Sequence, residues 1–236
     1  IVFSPIEEDG WRTVLQEAQE AGIPVILVDR TIAKRDSDLY TTRVGTDTYW
    51  EGEQAGLWLA EDLKKHNELD KEINIVVLQG TIGATSQIGR SIGFNIVANE
   101  HKNWRIVAQE TGDFTTAKGK EVMDKFLRLY DDIDVIVSQN DDMTVGAIEA
   151  LKEAGVYVGP NDDIRIISFD AGRAALELVQ KGEIDVDIEC NPEQGGYIEK
   201  VIRALENGYE LEENYYVNER IFTPENVGEY IESRMD

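Results

Sequence analysis

The chain has 236 residues, of which 42% are hydrophobic and 30% are charged, a balance typical of a globular protein with a full hydrophobic core. Its 47 acidic and 23 basic residues give a net charge of −24, which excludes nucleic acid as a partner because phosphate binding needs a basic surface. The apolar runs are too short to span a membrane, and the single cysteine, Cys190, excludes an internal disulfide. His66 and His101 lie in polar surroundings, so we predict no metal and no cofactor.

Apolar strand patterns alternate with amphipathic helix patterns along the whole chain. The predicted strands cover residues 1–4, 25–28, 73–78, 105–108, 135–137, 164–167, 186–188 and 216–221. The predicted helices cover residues 11–21, 50–65, 86–99, 117–129, 143–154, 173–181 and 192–206, with a polar crossing segment before the second helix and a short helix after residue 221. Strict alternation with largely continuous apolar strands predicts an α/β fold of parallel sheets covered by helices on both faces.

The dipeptide Asp29-Arg30 closes the second predicted strand. Open α/β sheets bind their ligands at the carboxyl ends of strands. A carboxylate accepts hydrogen bonds from two neighbouring hydroxyls, while a guanidinium donates a rigid fork. The pair therefore suits a polyhydroxylated ligand such as a sugar, and the alternative interpretation is a surface ion pair after a strand.

Further candidate site residues follow the other predicted strands. They are Arg90, Phe114, Asn140 and Asp170. In a parallel sheet these strand ends converge on one edge, where polar side chains beside an aromatic ring make a sugar site. Each has a structural alternative: Asp141 or Asp142 would cap the fifth predicted helix, and Asp170 would cap the sixth. Arg90 would be a solvated helix residue and Phe114 a core residue.

Five segments resemble the ribose- and galactose-type periplasmic sugar-binding proteins, and among these the galactofuranose-binding subgroup. They are GIPVILVDR at 22–30, QGTIGATSQIGRSIGF at 79–94, GDFTTAKGKEVM at 112–123, SQNDDMTVGAIEALKEAG at 138–155 and ISFDAG at 167–172. The resemblance covers nearly the whole chain. It implies a fold like that of type I periplasmic binding proteins, with two lobes of parallel sheet flanked by helices.

The resemblance also implies which residues bind the sugar. Asp29 and Arg30 would bind hydroxyls from the first lobe. Facing them from the second lobe would be Arg90, Phe114, Asn140 and Asp170, with Glu189 as a weaker candidate. Much of the ribose-type family carries an amide near the position of Glu189, shortly before a proline, so the Glu189-Cys190-Asn191-Pro192 run departs from the family pattern.

The expected lobes follow from the same resemblance. Residues 1–43 and 192–218 would build the first lobe, residues 44–190 the second, and residues 219–236 a C-terminal crossing segment and helix. Two βα units precede the first strand in the family and do not precede it here, so the first lobe is expected to be incomplete. Three crossings between the lobes would form a hinge that closes on the ligand.

The expected function is extracytoplasmic binding of a monosaccharide, a pentose or hexose, for delivery to an ABC importer. The protein would be a monomer without catalytic activity, periplasmic or extracellular, with a lipid anchor as an open alternative. A second hypothesis is the ligand-binding domain of a lactose-repressor-type regulator or of a sugar sensor. A third is an enzyme that uses Asp29, Asp141, Asp142 or Asp170 as paired carboxylates.

Overall fold

The protein is represented by a computed structural model that describes residues 1–161 and 163–234. The strands are β1 (Val2–Phe3), β2 (Ile26–Val28), β3 (Thr42–Gly45), β4 (Ile73–Gln79), β5 (Trp104–Thr111), β6 (Val135–Ser138), β7 (Arg165–Asp170), β8 (Val186–Glu189), β9 (Asn214–Tyr216) and β10 (Ile221–Phe222). The helices are α1 (Arg12–Glu20), α2 (Thr48–Lys65), α3 (Thr85–Ala98), α4 (Thr116–Leu129), α5 (Asp141–Glu153), α6 (Arg173–Lys181) and α7 (Gly195–Glu206). Short 3₁₀ turns cover Lys34–Leu39, Val227–Glu229 and Ile231–Ser233.

The chain divides into two compact units. The first unit comprises residues 1–47, 83–86 and 191–219, and the second comprises the described residues of 48–82, 87–190 and 220–236. Each unit contains one sheet.

The first unit has a parallel four-stranded sheet in the order β1-β2-β3-β9. Successive residues of β2 serve opposite faces, as the two-residue period of a strand requires. Leu27 packs with Leu15 of α1, whereas Ile26 packs with Val201 of α7. One helix therefore covers each face.

The second unit has a six-stranded sheet in the order β10-β8-β7-β6-β4-β5, parallel except for β10, which runs antiparallel to β8. One apolar cluster lies against α2 and α3, and the other against α4, α5 and α6. On β6, for example, Val135 and Val137 join the first cluster and Ile136 the second. The predicted α/β class, with parallel sheets between helices, is confirmed.

Three predicted elements differ from the structure. The polar crossing segment contains an extra strand, β3, whose buried Arg43 is hydrogen-bonded to backbone carbonyls. The single strand predicted over 216–221 is two strands, since β9 pairs with β3 in one sheet and β10 with β8 in the other. After β10 the described residues form two 3₁₀ turns rather than the expected helix.

Candidate functional site

The carboxyl-end edge of the second unit's sheet brings several predicted site residues together. The parallel register pairs Leu78 of β4 with Ser138 of β6, and Asp170 of β7 with Glu189 of β8. The segments that follow these strands therefore begin along one edge. This is the edge at which ligands bind in open α/β sheets.

Arg90 is at the centre of this edge and is only 2% exposed. Its Nε atom lies 2.6 Å from Oε2 of Glu51, and its Nη2 atom lies 2.9 Å from Oδ1 of Asp170. Nη1 donates to the carbonyl oxygen of Gln139, and the guanidinium carbon lies 4.9 Å from the ring centroid of Phe169. Arg90 and Asp170, predicted separately from the sequence, form an ion pair, and the solvated-helix alternative for Arg90 is wrong.

Glycines allow α2 to bring Glu51 against Arg90. A Cβ atom on Gly52 would lie 2.3 Å from the Arg90 carbonyl oxygen, and one on Gly93 would lie 2.1 Å from the Tyr49 carbonyl oxygen. The two helices can approach this closely only because these positions lack side chains.

The electrostatics of this cluster keep Arg90 charged. Burial alone would lower the pKa of the Arg90 guanidinium, but the carboxylates of Glu51 and Asp170 outweigh burial and raise the pKa well above its ordinary value. Glu51 is fully buried, so its ion pair with Arg90 is shielded from water. A buried charge left without its partner is strongly destabilising, so Glu51 fixes both the charge and the orientation of Arg90.

Two further carboxyl groups hold the turn that presents Asp170. Asp170 and Ala171 have positive φ angles of 109° and 59°, a conformation that L-residues rarely adopt. Asp141 accepts hydrogen bonds from Ser168 Oγ at 2.7 Å and from Gly172 N at 2.8 Å. Asp187 accepts one from Ala171 N at 3.2 Å. These contacts to the turn compensate for its unfavourable backbone.

Asp141 and Asp187 are neighbouring carboxyl groups whose pKa values are both raised. Burial and then the neighbouring Asp170 carboxylate raise the pKa of Asp141 to about 7. Burial and then Asp141 raise the pKa of Asp187 well above its usual range. Oδ2 of Asp187 is buried and has no hydrogen-bond partner among the described residues. A proton on one of the two carboxyl groups would let that group donate to the other, as the raised pKa values of both indicate.

Asn140 and Phe114 lie beside each other on the same edge. Oδ1 of Asn140 accepts from Met143 N at 3.0 Å and so caps α5, while Nδ2 donates to the Phe114 carbonyl at 3.5 Å. Phe114 has a φ of 59° and is partly buried against the core, and a Cβ atom on Gly80 would lie 1.9 Å from its ring. The core alternative for Phe114 therefore holds in part.

The capping alternatives for the aspartates are wrong. Asn140, rather than Asp141 or Asp142, caps α5. The cap of α6 is Gly172, with no side-chain hydrogen bond, and the Asp170 carboxylate is paired with Arg90 instead.

Glu189 ends β8 with a buried side chain whose Oε1 pairs with Arg234 from the C-terminal segment. Because Glu189 and Asp170 are in register on parallel neighbours, they belong to the same edge of the sheet.

In the first unit, Asp29 and Arg30 directly follow β2. Asp29 has a φ of 64°, and its backbone N–H donates to the Val44 carbonyl at 2.8 Å. Its carbonyl oxygen accepts from Arg43 Nε at 3.0 Å and also from Arg43 Nη2. Arg30 Nη1 donates to the Ile6 carbonyl at 2.9 Å, and its Nε lies 3.8 Å from Asp29 Oδ2. Both side chains are partly exposed, so they are accessible for binding.

Residues 1–208 match the family model of the periplasmic binding protein domain. The chain belongs to this family. Known relatives agree with the match. The galactofuranose-binding protein YtfQ of Escherichia coli strain K12 is 38% identical over 199 residues, which are 83% of this chain and 60% of that protein. The chain spans about 60% of the length of this relative and of two ribose import binding proteins that it also matches.

Two solved structures of similar fold contain sugars in furanose form. A Mycobacterium smegmatis protein in complex with β-D-fucofuranose has a TM-score of 0.90 and 38% identity, over 98% of this chain and 74% of that one. The periplasmic binding protein component of the arabinose ABC transporter from Shewanella sp. ANA-3, bound to α- and β-L-arabinofuranose, has a TM-score of 0.90 and 37% identity. That match covers 99% of this chain and 76% of the Shewanella chain. Among the described residues of this periplasmic binding protein domain, no helix has the length and apolar character needed to cross a bilayer.

Sequence patterns missed four residues that support the candidate site in this family member. They are Glu51, Gln139, Asp187 and Arg234. Asp187 could have been found from the sequence, because a charged residue within an apolar strand that is buried on both sides indicates a special role. The helix pattern gave no sign of Glu51, and Arg234 lies in a segment without periodicity.

Proposed function

We propose that this chain is the sugar-binding part of an extracytoplasmic solute-binding protein that delivers a monosaccharide to an ABC importer. The support comes from the family membership, from relatives named for sugar binding and import, and from the arrangement of the site. The proposed binding residues are those expected from the sequence: Asp29, Arg30, Arg90, Phe114, Asn140, Asp170 and Glu189.

The observation that carries the proposal is the Arg90–Asp170 ion pair beside Phe114 and Asn140 on one strand edge. A fixed guanidinium and a fixed carboxylate present donors and an acceptor to hydroxyl groups, and an aromatic face packs on the apolar face of a sugar ring. Binding of this kind requires no catalytic residue, and the proposed protein is not an enzyme.

The ligand class follows from the relatives. The structures of similar fold at 34–38% identity include complexes with fucofuranose and arabinofuranose and a galactofuranose-binding protein. We propose a pentose or hexose in furanose form. The two lobes of the expected architecture, residues 1–43 with 192–218 and residues 44–190, belong to the same proposal, as do a periplasmic or extracellular location, an ABC permease as partner and a monomeric state.

The regulator and sensor alternative is not favoured. Curated relatives of the chain include the galactofuranose-binding protein of Escherichia coli and ribose import binding proteins of Bacillus subtilis and Salmonella typhimurium. The charge of −24 also opposes a role on DNA.

A thermal-shift panel with ring-locked sugars tests the proposal. A ligand that binds only the folded state raises the melting temperature as its concentration exceeds Kd. We expect methyl β-D-galactofuranoside or methyl α-L-arabinofuranoside to raise the melting temperature of the 236-residue chain. Methyl β-D-galactopyranoside should have no effect, because its ring is locked in the six-membered form.

Matched variants link any shift to the site. Arg30→Ala should reduce the shift, since a charged hydrogen bond contributes about 1.5–3 kcal/mol. Arg35→Ala, whose exposed side chain pairs with exposed Asp9, should leave it unchanged. Absence of a shift with every sugar in a folded chain would contradict the proposal, and a response to the pyranoside alone would contradict the furanose form.

A further inference from the structure

Residues 220–234 return the chain to the ligand end of β8. β10 pairs antiparallel with β8, placing Phe222 opposite Asp187. The chain then turns twice, burying Val227 and Ile231 in the second unit's core. The backbone N–H of Arg234 donates to the Ile231 carbonyl at 3.2 Å. This anchoring brings Arg234 to the end of the same strand.

Glu189 is buried at that strand end with its two carboxylate oxygens in different states. The side chain is 1% exposed, and the backbone N–H donates to the Arg220 carbonyl at 2.9 Å. Oε1 pairs with Nη2 of Arg234. Oε2 is buried and has no hydrogen-bond partner among the described residues. One acceptor oxygen is therefore fixed but unsatisfied.

Arg234 is held on its other side by aromatic packing. Its guanidinium carbon lies 5.3 Å from the centroid of the Phe222 ring. That ring is fully buried and meets Tyr230 edge-on, with centroids 5.3 Å apart. A guanidinium that stacks on an aromatic face while pairing with a carboxylate has little freedom to move. The carboxylate of Glu189 is thereby fixed as well.

A buried carboxylate requires both a counter-charge and donors for its oxygens. Arg234 supplies the charge and satisfies Oε1. The unsatisfied Oε2 belongs to the edge that carries Asp170, the residue in register with Glu189. A hydroxyl group of a bound sugar is a donor of the chemistry that this oxygen lacks.

We propose that Arg234 is a positioning residue for sugar recognition: it holds Glu189 through Oε1 so that Oε2 accepts a hydrogen bond from a ligand hydroxyl. This inference rests on the proposed function and adds a residue from the C-terminal segment to it. Much of the ribose-type family has an amide near the position of Glu189, and an amide needs no counter-charge. Glu189 does need one, and Arg234 supplies it.

A double-mutant cycle separates this role from a purely structural one. The variants are Arg234→Ala, Glu189→Gln and the two combined, with Arg234→Lys as a variant that keeps the charge without the planar fork. Arg220→Ala is the matched control, because Arg220 is an exposed residue of the same segment whose guanidinium carbon lies 4.9 Å from the Tyr230 ring centroid. Isothermal titration calorimetry with L-arabinose and methyl β-D-galactofuranoside gives Kd, and urea unfolding gives stability.

We expect Arg234→Ala to raise Kd about tenfold or more, the scale of one charged hydrogen bond. In the Glu189→Gln background the same change should raise Kd less than about threefold, because the neutral amide does not depend on a counter-charge. Arg220→Ala should leave Kd unchanged. If Arg234→Ala is too unstable to titrate, Arg234→Lys in the two backgrounds makes the same comparison.

The outcomes distinguish this inference from the function on which it rests. Sugar binding by the wild type with unchanged Kd in the Arg234 variants would overturn the inference alone. An equal loss of affinity in both Glu189 backgrounds would also overturn it, since that pattern indicates a structural role. A folded wild type that binds neither sugar would overturn the proposed function and the inference with it.

Discussion

Each unit contains a buried arginine that supports a candidate ligand-binding aspartate, but the two arginines do so through different atoms. In the first unit, Arg43 donates to the backbone carbonyl of Asp29 and, at 2.7 Å, to that of Thr46. In the second unit, Arg90 pairs with the carboxylate of Asp170 and with that of Glu51. Arg43 thus fixes a main chain, whereas Arg90 fixes a side chain.

The two arginines therefore give the two aspartates different properties: Asp29 has a fixed backbone and an exposed side chain, whereas the side chain of Asp170 is itself fixed. With Arg43 on the backbone, the Asp29 side chain is 39% exposed and is not held by the arginine. Because Arg90 pairs with the carboxylate of Asp170, that side chain is oriented in advance. Arg90 also needs a second carboxylate, that of Glu51, in order to stay buried and charged. The Arg90 cluster is therefore the more costly one to disturb.

The largest effect is expected from Glu51→Ala, which would leave Arg90 without its fully buried partner. Breaking a buried ion pair costs about 3–5 kcal/mol, so the free energy of unfolding should fall by about that amount. Urea unfolding followed by tryptophan fluorescence measures it, because the second unit contains Trp50, Trp58 and Trp104.

The control for this change is Glu53→Ala, an exposed position on the same helix, where a change within about 0.5 kcal/mol is expected. Glu51→Gln, which keeps an acceptor but not the charge, should fall between the two. A loss below about 1 kcal/mol for Glu51→Ala, the range of exposed ion pairs, would show that Arg90 is not held as described.

A smaller effect is expected from Arg43→Ala in the first unit. The variant leaves the Asp29 and Thr46 carbonyls without their charged donor, which should cost about 2–3 kcal/mol. Hydrogen–deuterium exchange read by mass spectrometry should show faster exchange over residues 25–47. Arg203→Ala, whose exposed side chain pairs with exposed Glu199 in the same unit, is the control. Unchanged exchange in Arg43→Ala would mean that β2 and β3 alone fix the Asp29 backbone.

The same two arginines show what the sequence could and could not predict. Alternating apolar and helical patterns predicted the α/β class and most elements, and strand-end reasoning placed Arg90 and Asp170 on one edge although they are 80 residues apart. The pattern missed β3, since Thr42 and Arg43 read as polar. They are buried because their polar atoms bond to backbone carbonyls, a long-range fact that periodicity does not carry.

The residues that hold the site residues in place were harder to predict than the sheet edge on which the site lies. Glu51 appears in the sequence as one of 47 acidic residues, and only the close packing of Gly52 against α3 brings it to Arg90. Asp141 read as a helix cap, but its carboxylate turns to Ser168 and Gly172. These contacts depend on tertiary packing, which neither spacing nor residue type specifies.

The smallest expected effect concerns the raised pKa values of Asp141 and Asp187. Both pKa values are raised, so the folded chain binds protons that the unfolded chain, with aspartate pKa values near about 3.9, has released. The stability that Asp141 contributes is complete below about pH 4 and is lost as the pH rises through about 7. The stability that Asp187 contributes is lost as the pH rises through its own raised pKa. Asp187→Asn replaces the protonated acid by an amide that donates at every pH, and should remove part of this dependence.

Relative to the wild type, Asp187→Asn should therefore gain stability as the pH rises from 6 to 7, by no more than about 1.4 kcal/mol for one proton. Urea unfolding at each pH measures the difference. Asp142→Asn, an exposed neighbour of Asp141, should give a difference that does not change with pH. A flat difference for Asp187→Asn as well would mean that the pair carries no proton, and that the turn presenting Asp170 is held by two carboxylates instead of by an acid and its conjugate base.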